Sequence, residues 1–326
     1  MLWPYLPVIH ISLLLLELSC VIIKNMSYEC KELTMGDGNV NCFHCWLPDG
    51  GVQSLVLLSH GMTEYAFRYA AFGEFLNSKG IALFAEDHRG HGKTAERAER
   101  EGVGSFGYLA DKDGFFRVVD DIMEEAKMLR GEYPGKKLFL FGHSFGSFIA
   151  QCFIERYGAL VDGCILCGSA GPRFVVYPGK LIVKVITAFS GKKNISPLIG
   201  KLTMGSYGDN WLSRDIELLS KYVSDPWCTF KCKNGFYVDM LSGLCYIHRK
   251  RNLAAILKSL PVFLIAGTDD PVGDYGKSVR SLYECYQKLP LADVTLKLYE
   301  GAKHELLNEI NRDEVMNDVL EWMNGR

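Results

Sequence analysis

The chain has 326 residues, 48% of them hydrophobic, and a net charge of −2 at pH 7. That length can bury a large core, as one domain carrying an insertion or as two domains. The near-neutral balance shows no basic stripe and excludes nucleic acid as a partner, since His248-Arg249-Lys250-Arg251 reads as a solvated helix start.

Taken in chain order, Met1 to Ile23 is largely apolar, interrupted by His10 and Glu17. It is long enough to span a bilayer or to serve as a signal segment, but it has no positively charged start and no small-x-small cleavage site. Translation from Met26 is the third reading and the preferred one, because globular-domain sequence begins almost at once after it. Two regions are therefore expected: an apolar segment at 1–25 and one α/β domain at 26–326. Asn39 to Leu47 alternates like a half-exposed edge strand. Ser54 to Leu58 is a buried strand running into Ser59-His60-Gly61-Met62. Arg68 to Leu76 reads as a helix, and Ile81 to Ala85 as the next buried strand, ending at Asp87-His88-Arg89-Gly90-His91-Gly92. Glu96 to Glu101 alternates in sign and reads as an exposed loop or helix face. Phe115 to Arg130 has helical spacing, with Val118, Val119, Ile122, Ala126 and Leu129 close to one face.

Lys137 to Phe141 is a strand, Ser147 to Ile154 an amphipathic helix, and Gly142-His143-Ser144-Phe145-Gly146 joins them. A five-residue pattern of this kind is cheap by itself, but strand, sharp turn and helix around it narrow its meaning. A serine hydroxyl is a weak nucleophile and must stand clear of the sheet for a base to reach it. The turn that lifts it forces positive φ at Ser144 and tolerates only small neighbours, which Gly142 and Gly146 supply. Val161 to Cys167 is the next strand. From Ser169 to Leu260 no convincing strand appears, far too long a stretch for a plain connection. Apolar residues of helical spacing within it (Leu181, Val185, Ile186, Phe189, then Phe236, Met240, Leu241, Leu244) predict a helical lid at about 172–248 over Ser144. Pro261 to Ala266 is a buried strand ending in Asp269-Asp270, and Leu296 to Tyr299 a short strand ending in a loop with His304 at its tip.

Alternating strands and helices, with strands apolar on both faces, predict a mostly parallel sheet covered by helices on both sides. Serine, then acid, then histidine is the chain order of a hydrolase elbow. Ser144 and His304 are the candidate nucleophile and base, and either Asp269 or Asp270 would orient the imidazole while the other caps the following turn. The backbone N–H groups of Phe145 and Met62 are the candidate oxyanion donors. The chemistry needs no cofactor. A metal is not expected at His88 and His91, which lack a carboxylate ligand at suitable spacing. The eleven cysteines include the pairs Cys42/Cys45 and Cys164/Cys167, each within a strand, where residues three apart face opposite sides and cannot grip one metal. Buried reduced thiols are the reading, which favours a cytoplasmic location, with membrane association left open by the N-terminal segment.

The chain resembles the monoacylglycerol lipase and lysophospholipase branch of the α/β hydrolases, also described as serine aminopeptidase-like. The resemblance rests on His60-Gly61-Met62-Thr63-Glu64-Tyr65 with Arg68-Tyr69, Asp87 to Gly92, Gly142 to Gly146, Leu212-Ser213-Arg214-Asp215, Tyr222 to Pro226, and Gly301 to Glu305. It covers nearly all of 28–324. It implies the α/β-hydrolase fold and the triad Ser144, Asp270 and His304, Asp270 because the acid follows the glycine, here Gly267, by three residues. It places Glu64, Arg68, His143 and Tyr222 near the polar end of an acyl pocket, although Glu64 and Arg68 equally fit a loop-bracing ion pair. Tyr65 stands where the family usually has histidine, Thr94 where it has serine, and Arg173 to Gly205 matches little. The expected activity is hydrolysis of a monoacyl lipid or related acyl ester, with membrane-surface contact through the lid. A serine aminopeptidase-like peptidase and a non-catalytic binding protein on the same scaffold are the alternatives.

Overall fold

The computed structural model describes residues 27–204, 207 and 210–326. The apolar segment 1–25 and the start at Met26 lie outside the described residues. Eight strands form one sheet: β1 (Ser27–Thr34), β2 (Val40–Leu47), β3 (Ser54–Ser59), β4 (Ile81–Glu86), β5 (Lys137–His143), β6 (Gly163–Cys167), β7 (Val262–Gly267) and β8 (Val294–Tyr299). Their order across the sheet is β1-β2-β4-β3-β5-β6-β7-β8. The first two pairings are antiparallel and the rest parallel.

Helices cover both faces because the inner strands are buried on both. One face packs α3 (Gly114–Glu132), α4 (Phe145–Tyr157) and α10 (Lys277–Gln287), through Val118, Ile122, Phe153 and Leu282. The other packs α1 (Ala70–Asn77) and α11 (Arg312–Asn324), through Phe72, Leu76, Val315 and Val319. The charged 96–101 stretch closes α2 (Gly92–Arg100), with Glu101 at its C-cap. Between β6 and β7 stand α5 (Val176–Ser190), α6 (Pro197–Met204), α7 (Ile216–Ser224), α8 (Asn234–Ile247) and the short α9 (Lys250–Leu253). Of these, α8 sits on α3 and α4, and α5 sits on α8.

One expectation is corrected. β2 is not an edge strand: it is buried along its length because β1 pairs along its outer side. β1 itself has no fully buried residue, so its sequence lacks the alternation that marks a strand. The Cys164/Cys167 pair does divide between faces: Cys164 joins one core cluster and Cys167 the other. All ten described cysteines are free thiols. Among the described residues no helix is long and apolar enough to cross a membrane.

Candidate active site

The chain builds outward from β3, sending β4 to one side and β5 to the other. Ligands bind at such a switch point, beyond the carboxyl ends of the strands. Met62 follows β3, Ser144 follows β5, Asp270 follows β7 and His304 follows β8, so four distant segments meet above one edge of the sheet.

Ser144 has φ 52° and ψ −117°, the positive φ expected of the turn. Its N–H donates to Cys167 O at 3.0 Å, fixing the elbow against β6. Both glycines are needed for space. A Cβ on Gly142 would meet Gly146 O at 2.5 Å, and one on Gly146 would collide with the backbone of Ser59. The helix α4 begins at Phe145, directing its N-terminal N–H groups at the space in front of Ser144.

The imidazole of His304 is buried and its Nδ1 lies 3.0 Å from Asp270 Oδ2. Burial works to raise the Asp270 carboxyl. The His304 ring and the backbone N–H groups of Val272 and Gly273 outweigh it and hold the group below the usual carboxylate range. Asp269 is exposed and only receives Thr268 Oγ1 at 3.4 Å. It does not cap the turn: Asp270 Oδ1 accepts the Val272 N–H at 2.8 Å, so one carboxylate takes both tasks. His304 Nε2 is buried with no hydrogen-bond partner. Ser144 and His304 line the same cavity with no hydrogen bond between them; catalytic hydrogen bonds are often long or poorly aligned before substrate binds.

That cavity has a volume of about 380 Å³, at the small end of the roughly 300–1,000 Å³ of ligand sites. Met62, His143, Ser144, Phe145, Tyr222 and His304 gather at one end. Phe148, Ile182, Val183, Leu202, Leu241 and Leu244 supply apolar walls, five of them from α5, α6 and α8.

Glu64 and Arg68 stand behind the lining rather than in it. Glu64 Oε1 accepts the Gly61 N–H at 2.5 Å and the Tyr69 hydroxyl at 2.9 Å, and lies 2.9 Å from His143 Nδ1. Burial raises the Glu64 carboxyl, but His143 and Arg68 overcome this and hold it well below the usual range. Arg68 forks onto Glu305 at 2.7 and 2.6 Å and lies under the Tyr222 ring, 4.7 Å from its centroid. The Tyr222 hydroxyl lies 3.1 Å from Thr63 Oγ1. His143 Nε2 reaches the His304 carbonyl at 3.3 Å, donating to it.

Glu305, Trp211 and His248 also line the cavity and were not expected there. Trp211 covers the imidazole of His304, ring centroids 5.2 Å apart. No sequence signal marked Trp211, which sits in irregular chain, whereas Glu305 adjoins His304 in a recognised motif. His60, His88 and His91 form a buried cluster beneath the β3 loop. His60 Nε2 accepts the His88 N–H at 2.9 Å, and His88 Nε2 meets Ser59 Oγ at 2.9 Å. Burial pushes His88 and His91 down to about 4 and lowers His60 well below its ordinary value, disfavouring a charge on any of them. Among the described residues no group of three or more His, Cys, Asp or Glu is gathered as a metal site.

Comparison with known proteins agrees with this architecture. The monoglyceride lipase of Mus musculus is 28% identical over 93% of this chain and 91% of its own length. The monoacylglycerol lipase of Mycolicibacterium smegmatis is 27% identical over 86% and 91%. A thermostable carboxyl esterase from Bacillus coagulans superposes with a TM-score of 0.82 at 26% identity, over 92% of this chain and 99% of that one. A Saccharomyces cerevisiae monoglyceride lipase in complex with a substrate analogue shares the fold, with a TM-score of 0.74 at 22% identity over 93% and 97%. The family model for serine aminopeptidase, S33, matches residues 50–311, and the chain belongs to that family of α/β hydrolases.

Proposed function

We propose that this hydrolase of the lipase and esterase type is a serine enzyme acting on monoacyl lipids or related acyl esters. The observation that carries the reading is the cavity that joins Ser144 and His304 to an apolar chamber. His304 Nε2 takes the Ser144 proton as Oγ attacks the ester carbonyl. Asp270 holds the ring through Nδ1–H and stabilises the imidazolium. The Met62 and Phe145 N–H groups receive the oxyanion, the alcohol leaves with the proton, and water activated by His304 releases the acid. The acyl chain lies along Phe148, Val183 and Leu241. The alcohol portion meets His143 and Tyr222, whose positions are set by Glu64 and Arg68.

An aminopeptidase would need a carboxylate free to bind the substrate ammonium. Glu305 in the lining, Glu64 behind it, Asp270 on His304 and Asp225 in the insertion are each already engaged: Asp225 takes the Tyr65 hydroxyl at 2.7 Å and the Trp227 N–H at 2.8 Å. That occupancy supports the ester reading. The helical insertion acts as a lid, and its outward apolar residues serve contact with a lipid surface. The test is labelling by a fluorophosphonate probe, with p-nitrophenyl acyl esters of increasing chain length set beside aminoacyl-anilides. Labelling is expected in the native chain and lost in Ser144→Ala, with ester turnover falling by on the order of 10⁶-fold. Absence of labelling in folded protein, or anilide hydrolysis exceeding that of every ester, overturns the reading.

A further inference from the structure

The antiparallel pair β1–β2 carries a second cluster of reactive groups, none of them in the cavity lining. Its register sets Cys30 opposite His44 and Glu32 opposite Cys42. Alternation puts Cys30, Cys42 and His44 on one face of the pair. Cys30 Sγ lies 3.8 Å from His44 Nε2, and Cys42 is its diagonal neighbour in the register. His44 Nε2 is 3.2 Å from Asp87 Oδ2, and His44 Nδ1 is 2.9 Å from the Tyr28 hydroxyl. Asp87 is fixed in turn, accepting the Ala66 and Lys93 N–H groups at 2.8 Å each. His44 Nε2 thus faces the Asp87 carboxylate and the Cys30 sulfur together, with its other nitrogen held by Tyr28.

Its electrostatics suit a thiolate. Burial opposes charge on His44, but Asp87 and Cys30 prevail and push it up to about 9. The Cys42 thiol and His44 outweigh partial burial at Cys30 and bring it down to about 5. The other nine described cysteines all move upward, Cys42 because it faces Cys30 and the rest through burial. Only Cys30 and Cys285 among the ten are not fully buried. Low pKa, access and a neighbouring thiol are what make a cysteine oxidisable and reversibly so.

We propose that Cys30 is an oxidation site: a thiolate paired with His44 that reacts with hydroperoxides and is resolved by Cys42 into a disulfide joining β1 to β2. In the first step the Cys30 sulfur attacks the terminal peroxide oxygen and the O–O bond breaks. The departing alkoxide or hydroxide takes one proton, leaving sulfenic acid and an alcohol or water. In the second step the Cys42 sulfur, losing its proton, attacks the Cys30 sulfur, and the S–O bond breaks to release water. Two thiols are oxidised and one peroxide reduced. A diagonal pair starts with Cα atoms roughly 7–8 Å apart, just beyond disulfide range. Among the described strands β1 pairs with β2 alone, so a twist of this outer strand supplies the remainder.

The site does not depend on the hydrolase reading, and its readout is mass spectrometry rather than turnover. The full chain is treated with substoichiometric tert-butyl hydroperoxide at pH 6 and digested without reduction. A linked Cys30–Cys42 peptide is expected in native protein, and a dimedone adduct on Cys30 in Cys42→Ser. Iodoacetamide alkylation followed over pH should give Cys30 a midpoint several units below that of Cys285, the internal control. His44→Gln should slow alkylation of Cys30 at pH 6 by about tenfold or more. Equal alkylation profiles for Cys30 and Cys285 in the native chain overturn the proposal, as does peroxide treatment that leaves Cys30 unmodified.

Discussion

Asp269 and Asp270 are neighbours of identical chemistry, and burial alone separates them. Asp269 faces solvent, where its charge is screened and its hydrogen bond weak. Asp270 is enclosed, spends one oxygen on Val272 N–H and aims the other at His304 Nδ1. An amide there would present a donor as easily as an acceptor and lose the charge that stabilises an imidazolium. Asp270→Asn is therefore expected to lower ester kcat by on the order of 10⁴-fold, while Asp269→Asn stays within about twofold of the native chain. Steady-state kinetics on one p-nitrophenyl ester decides it, and equal losses in the two variants would defeat the assignment of Asp270. The elbow was legible because its requirements are local: a glycine two residues to either side of a serine, after a strand and before a helix. Glu305 was not, because its meaning lies in a fork with Arg68, which is 237 positions away in the chain. Trp211 carries no pattern of its own and acquires a place only where the insertion folds back over His304.

At the level of elements, the contact of α3 with the carboxyl end of β4 holds an unusual amount of buried acid. Glu86, Asp121 and Glu125 are all enclosed. Arg89 neutralises part of the charge, donating to Asp121 at 2.6 and 2.7 Å, and Asn41 donates to Glu86. Glu125 meets Glu86 and has no donor of its own, so their contact is a hydrogen bond only while one of them carries a proton. Burial first, then mutual repulsion, raises Glu125 well above its ordinary value. Burial takes Glu86 and Asp121 to about 7. Acids raised on folding bind more protons in the native than in the unfolded chain between about pH 4 and 7. The cluster's contribution to stability is thus full at the acid end of that window and declines as pH rises through it. Glu125→Gln supplies a permanent donor and should remove much of the decline. Urea unfolding is expected to give little difference at pH 5 and a gain of about 1 kcal/mol or more at pH 8. Parallel stability profiles for the two proteins would refute this. The same scale explains why β1 and the insertion were hard to read. A strand with no fully buried residue has no alternation, and helix α5 turns apolar residues outward as well as inward, blurring the stripe that marks an ordinary surface helix.

For the molecule as a whole, the distribution of exposed apolar surface is uneven. Phe174 and Phe189 are 94% and 91% exposed, and Leu181, Val185 and Leu198, none of which lines the cavity, are exposed as well. Meanwhile Val183, from the middle of the same helix α5, faces the cavity. Between 172 and 204 the chain has five lysines and Arg173 but no aspartate or glutamate, although the net charge of the whole is −2. An apolar face edged by cations and laid over a greasy chamber is the form expected where a single-chain lipid passes from a bilayer into the site. Burying one phenylalanine yields about 1.5–3 kcal/mol, enough for each to change partitioning tenfold or more. The native chain should therefore bind phosphatidylcholine vesicles more tightly as phosphatidylglycerol is added, and less tightly as salt screens the lysines. Phe174→Ser with Phe189→Ser should weaken that binding and slow hydrolysis of a vesicle-borne monoacyl ester, while kcat/KM for a short soluble ester stays unchanged. Because neither phenylalanine lines the cavity, equal loss on soluble and vesicle substrates would mean that the face packs as lid core and not against lipid. Sedimentation with sucrose-loaded vesicles measures the first quantity, and paired assays the second.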